Sequence, residues 1–476
     1  MDYTCLTNDS LIHIFSWFHV DDLIRASYVC KVWHEAAETP WLWREMCLKR
    51  WGFCNISALA AEYGKQAWKC YFLSRSNLEM RMTEGKSGGH YICKGLRGHK
   101  GRVVGCVYLS GNSPELPDFR SFTPIVCSAS SDGTVRAWDI QQGEQLWCSP
   151  VQSPLTGMVA EPGCGRVITS DTTGLVKAWD SQNGQEMSSY SSASPQCTLL
   201  PFSVDGSSYL AVGTSQGSVH TLASPSLSKL SSLVVCDTFK VNLLLASPDK
   251  KWIFAGTTEN MEMSPKVFSS QSVTCPSEDE DSLCQCLPVF VCCAAVFLPS
   301  QPARTAMVHY RDFSHTRHSK TLSVFDLSIK KTRYKSEVQV EPVAEFDVVF
   351  ESGSSNILLE GKGSGTLIVA ADRELRVYTL KGQLLCSFKD HVQPITSVCV
   401  DSFRVVTASQ DLSLRVLTWK VDRDSGLTLD SRYHLLGGSH TMFRGFSRVV
   451  CDYSSIVASV EAADGKDVLK AYTFNA

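Results

Sequence analysis

Three residues in the first half of this chain could, by type, run a hydrolysis: His99, Ser130 and Asp132. An imidazole can take the proton of a hydroxyl while a carboxylate orients the ring, the chemistry of a nucleophilic serine. No strand–turn–helix elbow accompanies Ser130, however, and a repeat pattern described below accounts for all three residues. Other groupings fail on spacing. Cys284, Cys286, Cys292 and Cys293 lack the two separated C-x-x-C pairs of a zinc site, and residues 286–297, CLPVFVCCAAVF, read as a buried strand. His309, His315 and His318 fall in a run that reads as a loop between strands. The stretch GKGSGT at 361–366 lacks the Lys-Ser/Thr end and the following helix of a phosphate cradle, and reads as a turn. The acidic run inside 274–282, TCPSEDEDS, reads as a solvated loop rather than a phosphorylation site. Cys30 has no basic or histidine neighbour placed to activate its thiol and reads as buried. No catalytic residue, metal or cofactor is expected, and the chain is expected not to be an enzyme.

A chain of 476 residues that is 43% hydrophobic and 20% charged can bury a full core. A net charge of -3 gives no basic field for nucleic acid. No apolar run approaches the roughly 18 residues of a membrane helix. The polar, acidic start MDYTCLTNDS is not read as a signal peptide. Neither nucleic acid nor membrane is therefore an expected partner. Twenty cysteines without a spaced framework fit reduced thiols, which places the chain in the cytoplasm, with the nucleus also open.

The chain changes character near residue 90. Residues 1–80 hold six tryptophans (Trp17, Trp33, Trp41, Trp43, Trp51 and Trp68) and two glycines, Gly52 and Gly64. Leu11, Ile14, Phe15 and Phe18, then Leu23 and Ile24, then Val29, Trp33 and Ala36 recur at helical spacing. Thr7 and Asp21 sit where N-caps belong, and Pro40 where a helix stops. Four or five short helices are expected, and residues 82–90, MTEGKSGGH, form a glycine-rich edge. Beyond it come short β-branched runs separated by Gly, Ser, Asp and Asn. The units ending SASSDGTVRAWD and SDTTGLVKAWD place Trp138 and Trp179 41 residues apart, the period of a four-stranded propeller blade. The same cadence recurs at Leu222, Phe268, Phe325, Tyr378, Leu417 and Tyr472. Eight blades are favoured, with seven as the alternative, and residues 90–97 are expected to give the last blade its outer strand and so remove an open edge. The fold class is thus multidomain. Residues 1–50 form a small all-α module, 51–89 a helical linker and 90–476 an all-β propeller.

Both halves resemble known families. His99, Ser130, Asp132 and Trp138 resemble the hydrogen-bonded tetrad of WD-repeat proteins, which implies a structural network rather than a catalytic one. Elsewhere that set is eroded. Thr173, Gln216 and Lys466 take the aspartate position, Asp372 and Asp411 keep it, and His391 and His440 look like remnants of the histidine. Residues 10–46, SLIHIFSWFHVDDLIRASYVCKVWHEAAETPWLWREM, resemble the F-box. Helices of that family dock on the Skp adaptor, which bridges to a cullin. By matching position, Leu11, Ile14, Phe15, Leu23, Val29, Cys30 and Trp33 would form the adaptor-binding or supporting surface. The family pattern opens with Leu-Pro and this chain has Leu6-Thr7, a loss that would loosen the first turn.

An F-box followed by WD repeats is the arrangement of the F-box/WD-repeat substrate receptors of Skp–cullin–F-box ubiquitin ligases. It implies that the propeller binds a protein substrate while the F-box grips the ligase. The alternative is a WD-repeat interaction scaffold with a vestigial F-box and no ligase role. For substrate contact, Arg102, at the start of the first inner strand, is the clearest basic residue expected at the channel mouth. The basic segment 304–335 carries Arg304, Arg311, Arg317, Lys320, Lys330, Lys331, Arg333 and Lys335 and reads as a solvated edge. In the family this chain resembles, members that read phosphorylated segments often place arginine just before the turn aspartate; here those positions hold Ser131, Thr172, Ser215, Ala371 and Gln410. None is cationic, so a phosphorylated ligand is not indicated.

Overall fold

A computed structural model describes residues 6–51, 67–86, 89–109, 124–161, 164–259, 263–275, 283–310, 320–331, 336–350, 356–422, 426–452 and 454–474. Among the described residues five helices come first: α1 (Asn8–Phe15), α2 (Val20–Ala26), α3 (Lys31–Ala37), α4 (Pro40–Trp51) and α5 (Ala67–Glu84). Thr7 caps α1, its Oγ1 accepting from the Ser10 N–H at 3.3 Å, so the first turn is held without a proline. His19, not Asp21, is the N-cap residue of α2. Asp21 sits in the first turn, where its charge still complements the helix dipole. Pro40 opens α4 rather than closing α3, because a first-turn position has no intrahelical use for the missing N–H.

Leu11, Phe15, Leu23, Leu42, Trp43 and Trp51 close a core with Trp68, Tyr71 and Phe72 from the first half of α5. The second half of α5 buries Leu78 and Met82 among residues of the last two propeller blades. One 18-residue helix is therefore built into two cores.

Beyond α5 the described chain forms eight four-stranded antiparallel sheets, with one short helix, Ser270–Thr274, set between the third and outer strands of the fourth. Blades 1 to 7 run Val103–Cys148, Leu155–Ser191, Thr198–Val234, Leu243–Cys286, Cys292–Val348, Ile357–Phe388 and Ile395–Leu436. Blade 8 combines Phe443–Thr473 with Ile92–Leu96, which pairs from Ile92↔Thr473 to Leu96↔Leu469. The closing strand expected from residues 90–97 is thus in place, and eight blades prevail over seven. Leu222, Phe268, Phe325, Tyr378, Leu417 and Tyr472 all lie buried in third strands. Apolar side chains hold that position without an indole because neighbouring blades bury them, as Ala294, Leu298 and Val324 of blade 5 pack with Ile357, Leu359 and Leu367 of blade 6.

Residues 286–297 are not one strand. Cys284–Cys286 is the outer strand of blade 4, and Cys292–Leu298 is the inner strand of blade 5. The run 277–282 and His315 and His318 lie outside the described residues.

Topology fixes two distinct ends. Each blade is a four-stranded meander, so an even number of strands returns the chain to the end where it started. All outer-to-inner connections therefore share one end, and the turns between first and second strands share the other. Helix α5 seats at the latter. There Arg404, at the start of the second strand of blade 7, is fully buried and donates to Asp401, to the carbonyls of Asp452 and Ser455, and to Met82 Sδ.

Candidate functional site

The buried network of blade 1 differs by one residue from the sequence reading. Trp138 Nε1 donates to Ser128 Oγ at 2.8 Å, and Ser128 Oγ lies 2.7 Å from His99 Nε2. His99 Nδ1 faces Asp132 Oδ2 at 3.3 Å. A consistent proton chain runs from indole to hydroxyl to imidazole to carboxylate. Ser130 is not a member. Trp138 pairs across the sheet with Val126, which leaves Ser128 beside the indole and puts Ser130 at the end of the strand. There its Oγ accepts from the Asp132 N–H at 3.2 Å and shapes the turn. Gly133 holds φ at 80°, and a Cβ there would meet the Gln152 carbonyl oxygen at 2.0 Å, so only glycine fits.

Burial alone would push the Asp132 carboxyl up. Hydrogen bonds from His99, Thr134 and the Lys100 N–H outweigh it and hold the group well below the usual carboxylate range. Ser128 Oγ is thus flanked by a ring nitrogen on each side, with no open space for a substrate carbonyl, and the set is structural.

Blade 7 carries a second such network that the sequence revealed only in part. His391 Nδ1 lies 3.0 Å from Asp411 Oδ2, and Nε2 lies 2.8 Å from Thr407 Oγ1. Leu417 supplies no indole. In blade 2 the indole half survives, with Trp179 Nε1 donating to Thr169 Oγ1 at 2.9 Å. The signal for Thr169 and Thr407 was their position four residues before the aspartate site, the spacing of Ser128 to Asp132. His440 is exposed and joins no such network.

Among the seven residues expected at the adaptor, the structure makes a division. Leu11, Phe15 and Leu23 are buried in the helical core and cannot touch a partner; they support the surface. Trp33 is half-buried, edge-on to Phe15 with ring centroids 5.4 Å apart. Ile14, Val29 and Cys30 are exposed, so Cys30 is not the buried thiol its neighbours suggested; it precedes α3 at the N-cap, where the chain is still extended. Sequence periodicity missed further exposed apolar side chains. Leu6, Trp17, Tyr28, Val32 and Trp41 are exposed as well, Trp17 at 80% and Tyr28 at 83%. The signal available was an excess of aromatic residues over what a module this small can bury.

On the propeller, Arg102 is exposed at the start of the first inner strand, as expected, beside the buried Asp467. Two residues of the basic segment are drawn into the fold. Arg304 makes two 2.6 Å bonds to Asp326, and Lys320 is buried. Lys330 and Lys331 are exposed, while Arg311, Arg317, Arg333 and Lys335 lie outside the described residues. His309 is buried, with Nε2 2.8 Å from Ser323 Oγ. Among the described residues no three His, Cys, Asp or Glu side chains form a metal-holding group, and no helix is long and apolar enough to cross a membrane.

Comparison with known proteins agrees with this architecture. Residues 8–49 match the family described as F-box-like. Over 473 residues, 98% of both chains, the protein is 28% identical to human F-box/WD repeat-containing protein 12. It is 24% identical to mouse F-box/WD repeat-containing protein 15 over 475 residues, 98% of this chain and 97% of the relative. A crystal structure of the computationally designed Ika8 protein shares the propeller fold, with TM-score 0.55, 18% identity, and coverage of 79% of this chain and 98% of the designed one.

Proposed function

We propose, from an F-box-like region joined to an eight-bladed propeller and full-length similarity to F-box/WD repeat-containing proteins, that this chain is the substrate receptor of a Skp–cullin–F-box ubiquitin ligase. The helices would hold the Skp adaptor and, through it, a cullin, while the propeller holds a protein substrate. The chain itself makes and breaks no bonds. Its contribution is proximity, which raises the effective concentration of substrate lysines at the conjugating enzyme. We place the complex in the cytoplasm, with access to the nucleus.

The observation that carries this reading is the apolar surface left over once the helical core is complete. Ile14, Trp17, Tyr28, Val29, Val32 and Trp41 remain in water on a module whose core is already closed by α5. Exposed apolar clusters of this kind mark partner surfaces. Thr7, which caps the first turn where the family has proline, removes the sequence ground for reading the module as vestigial.

The test is co-purification of the tagged full chain from cells, followed by detection of the Skp adaptor and a cullin. Recovery of both is expected. A folded chain that brings down neither overturns the ligase reading in favour of a scaffold.

A further inference from the structure

The outer-to-inner end of the propeller has an unusual surface. Of the seven most exposed large apolar side chains among the described residues of the propeller, six lie in these connections or at the last strand residue leading into them: Val151, Val234, Val349, Val392, Leu436 and Met442. The seventh, Val421, belongs to the hairpin of blade 7 at the opposite end. The ring spans five of the eight connections. In blades 1 to 3, moreover, the loops 149–154, 172–174, 192–197 and 214–217 contain no Asp, Glu, Lys or Arg.

Inside that ring opens a cavity of about 430 Å³, large enough for a long side chain. It is walled by the inner strands of blades 4 to 8, and it lies mostly along their first halves, nearer the apolar ring. Leu243, Ala295, Leu358 and Val398 give it apolar patches, Thr396, Ser397 and Ser447 add hydroxyls, and Glu360 is its one carboxylate. No hydrogen bond or ion pair to Glu360 is found among the described residues. Burial pushes its carboxyl up to about 7, with no neighbouring cation countering the effect. The other ionisable groups on the wall are Cys293 and Arg448. Arg448 is exposed on blade 8, two strands around the ring from Glu360, and makes no ion pair with it.

We propose that this cavity receives a lysine or arginine side chain from an apolar segment of the captured protein, with Glu360 accepting the cation and the ring of connections seating the flanking apolar residues. The inference rests on the reading of the propeller as the substrate-holding end. Charge decides the occupant. A half-buried carboxylate with no partner among the described residues repels a phosphate and favours a cation, and a hydrogen-bonded pair in such surroundings is stronger than one in water. The exposed valines and Leu436 ask for an apolar flank rather than a charged one.

The probe is an arrayed library of short peptides, each with one central arginine among varied apolar residues, beside matched versions carrying citrulline or phosphoserine instead. Binding is measured to the purified full chain, to Glu360→Gln and to the double variant Val151→Asp, Val392→Asp, with melting curves for each. Arginine peptides should bind about tenfold or more above their citrulline partners, Glu360→Gln should remove that difference, and the double variant should weaken both sets. Preference for phosphoserine, equal binding of arginine and citrulline, or no retained peptide overturns the proposal. Adaptor binding by the same preparations separates the two readings. Its loss with arginine selectivity intact contradicts the ligase role alone, and its retention without that selectivity contradicts the cavity alone.

Discussion

Ser128 and Ser130 are two residues apart on one strand, yet only Ser128 touches both the His99 imidazole and the Trp138 indole. Ser128→Ala leaves the buried ring nitrogens of Trp138 and His99 without their shared partner and should cost about 1–3 kcal/mol, whereas Ser130→Ala should cost less than about 1 kcal/mol. Urea unfolding of both variants checks this, and equal losses would put the network back on Ser130. The carboxyls of Asp132 and Asp411 are each pushed up by burial but held lower still by their hydrogen bonds. With folded values below unfolded ones, their stabilisation is fully present above the ordinary carboxylate range, about pH 4, and is lost as pH falls further. Melting temperature should therefore drop steeply below about pH 4, and Asp132→Asn should melt lower at neutral pH but with a shallower acid slope. The residues of this network were legible in SASSDGTVRAWD as a set. Which serine belongs to it was not, because that depends on the register Val126↔Trp138, and either serine satisfies the composition.

Helix α5 is the element whose role was least visible beforehand. Helical character in the first 80 residues could be read from apolar spacing, but spacing marks a buried face without naming what buries it. Tyr71 and Phe72 pack under Trp51, while Leu78 and Met82 pack among Phe446, Val460 and Phe474 of the propeller. Arg404 anchors the far half. Burial would lower its pKa, but Asp401 and other nearby groups raise it, so it stays charged with Asp401 at 3.0 Å. Arg404→Leu strands the Asp401 carboxylate and should destabilise this end by about 3–5 kcal/mol. Hydrogen exchange should then quicken in residues 78–84 more than in blades 2 to 4; uniform quickening would mean that Arg404 serves the propeller and not the helix seat. The capping of α1 by Thr7 makes a related point. A missing proline was legible, but the hydroxyl that stands in for it becomes evident only from the Ser10 N–H it accepts.

At the scale of the whole molecule the repeat was the most legible feature, because each blade must bury one large third-strand side chain whatever its identity. Phe268 and Leu417 kept the cadence after tryptophan was lost, and both are buried where the period put them. The exposed apolar surfaces of the two ends were much less legible. An exposed valine such as Val151 or Val392 has the same sequence signature as a core valine, and only the meander places both at one end of the propeller. The same holds for the helices, where Val29 and Val32 follow the apolar pattern but face water. Those two residues give the most direct test of the central claim, that the helical module is a working adaptor-binding surface. The measurement is the affinity of purified full chain for purified Skp adaptor, by calorimetry, for the parent and for Val29→Asp, Val32→Asp. The parent should bind, and the double variant should bind about tenfold or more weakly while melting as the parent does. A folded parent that does not bind, or a double variant that binds equally well, would contradict the account.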